Sequence, residues 1–278
     1  MVDDLYGGTG GVSVDNEGNI YSSDFGPFLG QVNPNFKIVS KVFKITTQGE
    51  VSVYLDSIQG ASGSEFDEEG NFYQSNIRSN AITRITPGGE RSIYVSDSIV
   101  NPVGLVFADN GDLIVCNCGN NTLRRVTTSG ENTLFSQGDL FQCPNGITKD
   151  DAGNFYAANF YNGNVIKIDP EGQPSVFAEI PGNNNGHLIY RDRYLYVVAR
   201  SAHQIYRVSM NGEVELFAGN GDRGRKNGNR LEASFSLPND LDFSPDGKYL
   251  YVNEASDSLG SPRILIPTAV RKIRMADD

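Results

Sequence analysis

The sequence predicts an all-β fold: a six-bladed β-propeller with four antiparallel strands per blade. Three observations lead there. One hairpin unit recurs six times along the chain. Short alternating apolar runs sit between Gly, Asn and Asp, with no helix-period segment. The spacing of the copies matches the length of a four-stranded blade. Five copies align on a turn glycine: VDNEGNIYSSD around Gly18, FDEEGNFYQSN around Gly70, FADNGDLIVCN around Gly111, KDDAGNFYAAN around Gly153 and FSPDGKYLYVN around Gly247. NGHLIYRDRYLYVVA, fifth in chain order, has a shortened turn without the glycine.

Each unit follows one plan. A first strand such as GITKD leads into an Asp/Asn-rich turn whose Gly supplies the positive φ of a tight hairpin. A second strand follows (NFYAAN), then a third (NVIKI) and a fourth (SVFAE). Units begin near residues 9, 61, 102, 144, 185 and 238, so successive starts lie 41 to 53 residues apart. The sixth unit stops after its third strand, VRKI. Residues 2–6 resemble a fourth strand, so they are expected to complete the last blade and remove its open edge. The whole chain, 1–278, then forms a single domain.

The 278 residues are 38% hydrophobic and 21% charged, as in a soluble globular protein. No apolar run reaches the roughly 20 residues of a membrane span, and MVDDLYGG has neither a basic start nor an apolar core. The reading is a soluble chain without a leader, its compartment open. A net charge of −11 disfavours nucleic acid and anionic membrane as partners; the small-molecule substrate expected below comes from the channel mouth and the family resemblance. Cys116, Cys118 and Cys143 match no zinc spacing and form no disulfide framework; they read as buried or idle thiols.

Strand one starts and strand two ends on the same face, which we call the top. The unusual material falls there. Residues 25–40 and 255–268 are long, partly apolar loops on neighbouring blades, expected to form a lid over the channel mouth. Residues 219–236 carry Arg223, Arg225, Lys226 and Arg230. Both histidines of the chain, His187 and His203, map to the top of blade 5 beside Arg200. A neutral imidazole is a general base or a metal ligand. Pro-Asn-Gly at Asn145 and Pro-Asn-Asp at Asn239 are good turn sequences, and equally place amide oxygens at the mouth.

The segment from AGNGDRGRKNGNRLEASFSLPNDLDFSPDGKYLYVNEAS to VRKI resembles an NHL repeat. PNGI and LPNDLDFSPDGKYLYV resemble the senescence-marker-protein/gluconolactonase family. Both are six-bladed propellers. The second resemblance implies a calcium-dependent lactonase-like site in which Asn145, Asn239 and Asp240 hold the cation; Gly10, Ser62 and Val103 stand where the family has acids. It implies a metal-dependent hydrolase of the lactonase/esterase type. His187 and Asp240 are its expected catalytic groups, with Arg200, His203, Asn159, Asp24 and Glu254 around the substrate. Two alternatives stand beside it: a non-catalytic NHL-type propeller that binds a ligand or a protein, and a lyase or cyclase that uses His187.

Overall fold

The computed structural model describes residues 2–7, 9–26, 40–255 and 267–275. Six four-stranded sheets are arranged as blades, each ordered first to fourth strand from the axis outward. The inner strands are Thr9–Val14, Ala61–Phe66, Pro102–Phe107, Pro144–Lys149, Asn185–Arg191 and Pro238–Phe243. All strand pairs are antiparallel. The six-bladed, all-β expectation therefore holds. In blade 6 the outer place is taken by Val2–Leu5, which pairs with Thr268–Arg274 through Val2↔Val270 and Leu5↔Thr268.

The recurring Asp-x-x-Gly-Asn-x-Tyr has a local cause. Asp67 accepts the Asn71 backbone N–H at 2.7 Å through one carboxylate oxygen. Its other oxygen accepts the Asn71 amide at 2.7 Å and the Tyr73 hydroxyl at 3.1 Å. Asp15 and Asp150 repeat the arrangement with Asn19–Tyr21 and Asn154–Tyr156. Gly70 and Gly153 both sit at φ +79°, where a Cβ would be strained. The carboxylate thus closes each hairpin on the face opposite the channel mouth.

The apolar core is divided into clusters, each lying between two neighbouring blades. One joins Tyr196, Val198 and Phe217 to Leu241, Phe243 and Val252. The cluster that closes the ring joins Leu5 and Val270 of blade 6 to Val12, Ile20 and Ile45 of blade 1. No blade buries both faces without its neighbours, so burial drives ring closure.

At the axis the inner strands come closer than a side chain allows. A Cβ built on Gly11 would lie 2.5 Å from the Ser62 carbonyl oxygen, and one on Gly63 2.4 Å from that of Val103. Gly104 and Gly146 meet the same limit at 2.4 Å, against the Asn145 oxygen and the His187 Cα. These four glycines hold equivalent places in blades 1 to 4. His187 and Asp240 hold the same place in blades 5 and 6.

One expectation is corrected. Cys118 and Cys143 are joined in a disulfide, 25 residues apart in sequence, and only Cys116 is a free, buried thiol. The bond ties the loop after the second strand of blade 3 to the start of blade 4. A spacing of 25 carries no sign of this; the winding of the ring brings the two positions together.

Two outcomes are expected. Reducing the Cys118–Cys143 bond, or replacing both residues with serine, lowers stability by about 3.5 kcal/mol, the loop-closure value for this separation; denaturant midpoints with and without reductant check it. Gly104→Ala destabilises by about 1–3 kcal/mol or more, because the contact is backbone and cannot yield; an unchanged midpoint would remove the close-packed axis.

Candidate active site

The four glycines leave a space at the axis that two side chains fill. His187 Nδ1 lies 3.4 Å from Asp240 Oδ2, and both residues are buried. The imidazole crosses the channel: its Cε1 would lie 3.1 Å from a Cβ on Gly63, in the opposite blade. Nε2 has no hydrogen-bond partner among the described residues.

Asp240 is fixed from both sides. Oδ2 accepts the Val12 N–H of blade 1 at 2.8 Å, and Oδ1 accepts the Leu241 N–H at 2.7 Å. Asn253 holds the Asp240 backbone N–H and donates to the Gly10 carbonyl. Burial pushes the Asp240 carboxyl up to about 7, against the pull of its two N–H donors. Burial also pushes the His187 imidazole down to about 4, so the ring is neutral at physiological pH.

Asn145 and Asn239 play matching parts. Each sends its amide N–H to a backbone carbonyl of the next blade, Asn145 to Asn185 at 3.2 Å and Asn239 to Gly10 at 2.8 Å. The Asn239 carbonyl oxygen accepts from Arg200 Nη1 at 3.3 Å. Arg200 is 2% exposed and opens a short 3₁₀ turn, Arg200–Ala202. Its Nη1 also donates to the Leu237 carbonyl, while Nη2 has no partner among the described residues. Burial lowers this guanidinium to about 10, with Arg223 adding to the shift.

These donors do not suit a calcium ion, which takes six to eight oxygens. The Asn239 oxygen already faces a guanidinium, and both Asp240 oxygens are held by backbone N–H groups. Among the described residues no group of three His, Cys, Asp or Glu side chains is placed to hold a metal.

The remaining expected residues sit on the same top face but in structural bonds. His203 Nδ1 accepts the Leu237 N–H at 3.2 Å. Asn159 accepts the Gln142 N–H and donates to the Leu140 carbonyl. Asp24 accepts the Gly26 N–H at 2.8 Å. Glu254 is fully buried, 2.6 Å from Arg271 Nη1, and accepts the Ser236 N–H. The expected lid, residues 25–40 and 255–268, falls mostly outside the described residues.

Two acids on the inner strands escaped the sequence reading. Glu65 and Asp242 lie two residues beyond the ring position of their strands. Asp242 accepts the Val14 N–H at 2.7 Å. Burial pushes Asp242 up to about 7 and Glu65 up to about 8, and Asp240 raises both further. Period-two alternation from Gly63 and Asp240 would have pointed to them.

No protein-family profile and no curated protein matches this sequence. Solved structures do match its fold. Virginiamycin B lyase from Staphylococcus aureus is 16% identical, with a TM-score of 0.64 over 99% of this chain and 89% of that one. A catalytically inactive variant of that lyase, a histidine replaced by alanine, has been solved with quinupristin; it is also 16% identical, with a TM-score of 0.65. A gluconolactonase from Xanthomonas campestris is 15% identical, with a TM-score of 0.71 over 97% of this chain and 87% of that one. At these identities the likeness is one of fold.

The buried acids set a pH dependence. Asp240, Asp242 and Glu65 hold protons in the folded state up to about 7 to 8, and in the unfolded state only to about 4. Their stabilising effect is complete below pH 4 and is lost as pH rises through 7 to 8. His187 acts the other way, between about 4 and its ordinary value, but is one group against three. The melting temperature is expected to fall from pH 5 to pH 8, less steeply in Glu65→Gln; a rise over that interval contradicts the assignment.

Proposed function

We propose that the chain is a hydrolase of the lactonase/esterase type that works by acid–base chemistry at His187. One observation carries this reading: a buried, neutral imidazole on the channel axis, with Nδ1 3.4 Å from Asp240 Oδ2 and with Nε2 unpartnered among the described residues. Above about pH 7, where Asp240 is ionised, its carboxylate beside Nδ1 favours the Nδ1–H tautomer and steadies the imidazolium that forms when Nε2 takes a proton.

In the proposed reaction Nε2 takes a proton from water as its oxygen attacks the lactone or ester carbonyl. The imidazolium then returns that proton to the departing alkoxide, leaving a carboxylic acid and an alcohol. Arg200, whose Nη1 donates to Asn239 and whose Nη2 has no partner among the described residues, is the donor proposed to stabilise the oxygen that becomes negative. The fold likeness to a gluconolactonase supports the substrate class.

A second reading is a lyase on the same scaffold. The fold likeness to virginiamycin B lyase favours it, since a histidine-to-alanine variant of that enzyme is inactive. Here His187 would remove a proton from the carbon adjacent to the one that bears the ester's alkyl oxygen; the alkyl C–O bond would break to leave a C=C bond, and the departing carboxylate would take the proton back from the imidazolium, with no water consumed.

A panel of γ-lactones, aryl esters and cyclic ester substrates in ¹⁸O-labelled water separates these readings. Hydrolysis places one label in the product and elimination places none. His187→Ala is expected to lower kcat by about 10²–10⁴ while melting is retained, with no loss on chelation. Turnover that survives His187→Ala ends the proposal. No turnover on any member leaves the protein as a binding propeller.

A further inference from the structure

Two arginines are buried among the described residues, Arg200 at 2% and Arg271 at 6% exposure. Their surroundings differ. Arg271 is neutralised and fully bonded. Its Nη1 meets Glu254 Oε1 at 2.6 Å and the Ser234 carbonyl at 3.2 Å, and its Nη2 donates to Asn227 Oδ1 at 2.8 Å and to the Lys226 carbonyl at 3.3 Å. Arg200 has no carboxylate partner among the described residues. Its Nη1 donates to two neutral oxygens, the Leu237 carbonyl at 3.1 Å and Asn239 Oδ1 at 3.3 Å, and its Nη2 donates to none.

The acids of the same face are engaged elsewhere. Asp240 accepts the Val12 and Leu241 N–H groups, Glu254 holds Arg271, and Asp24 accepts the Gly26 N–H. The charged side chain that acts on Arg200 is a second cation, Arg223, whose Nε donates to Ser236 Oγ at 3.3 Å. In a chain of net charge −11, Arg200 is thus a buried positive charge set beside another positive charge.

Burial strips a guanidinium of its hydration, and a neighbouring cation adds repulsion; an anion at the open nitrogen relieves both. Guanidinium keeps its charge when buried and suits the planar carboxylate. One open nitrogen matches a single negative charge, whereas the second charge of a phosphate would find no second donor on this side chain. We infer that Arg200 Nη2 is the recognition point for the carboxylate group of a small-molecule ligand. This goes beyond the hydrolase reading, since it needs a carboxylate on the ligand and no turnover. Where that reading also holds, the acid released by ring opening is such a ligand, and the chain binds its own product.

The test is isothermal titration of the full chain with 4-hydroxybutyrate, the acid of γ-butyrolactone, at constant ionic strength. The neutral 4-hydroxybutyramide and inorganic phosphate are titrated beside it. The carboxylate is expected to bind at least about tenfold more tightly than either control. Arg200→Gln is expected to weaken it at least about tenfold, and Arg230→Gln, on the exposed loop, to leave it unchanged. Equal binding of the amide shows recognition without charge and overturns the inference. So does tighter binding of phosphate, an Arg200→Gln variant that binds as before, a loss in Arg230→Gln, or no binding by the carboxylate. If Arg200→Gln unfolds, Arg200→Lys is read in its place by the same criterion, because one ammonium cannot keep both Nη1 bonds and occupy the Nη2 position. Turnover plays no part, so failure here leaves the ¹⁸O result standing, and the reverse.

Discussion

Backbone approach at the axis is the constraint on which the structure depends. Six inner strands converge there, and at Gly11, Gly63, Gly104 and Gly146 the neighbouring backbone lies where a Cβ would stand. Interblade packing, with clusters such as Tyr196–Phe243 and Leu5–Val12, pulls the sheets to this distance. The glycines let them reach it. Because four of six ring positions carry no side chain, the two that do, His187 and Asp240, are forced together.

The inner strands also expose an unpaired edge to the channel, and its N–H groups need acceptors. Side chains from the preceding blade supply them: Asp240 to Val12, Asp242 to Val14 and Thr148 to Tyr190. Asn145 and Asn239 meet carbonyls in the same way. The groups that stitch blade to blade are therefore the groups that chemistry would draw on. Burial keeps His187 neutral and raises the carboxyls, so the tension between folding and ionisation is concentrated at the axis.

The fold was legible because its signals are local. Turn glycines and alternating runs recur from unit to unit, with an aspartate three residues before Gly18, Gly70 and Gly153, and the fit of VDDL to a fourth strand follows from the same repeat. The site was legible only in its ingredients. His187 and Asp240 were both named as catalytic groups, Asp240 also as a calcium ligand; the Arg200–Asn239 contact and the Val12 N–H bond to Asp240 are products of packing between blades. Glu65 and Asp242 went unread because an acid in an alternating strand looks like an ordinary solvent-facing residue. Glu254, expected near substrate, is instead consumed by Arg271, whose position depends on how residues 226–234 fold back over blade 6.

By itself the sequence determined the repeat, the hairpin chemistry and the all-β wheel, since each follows from residues a few places apart. Tertiary structure alone decided that Cys118 meets Cys143, that two ring side chains share the axis, and that Val2–Leu5 closes the last blade in the register Val2↔Val270. Those facts depend on the distance between blades and on where each strand's register ends. Side chains tens to hundreds of residues apart set both, and no local pattern records them.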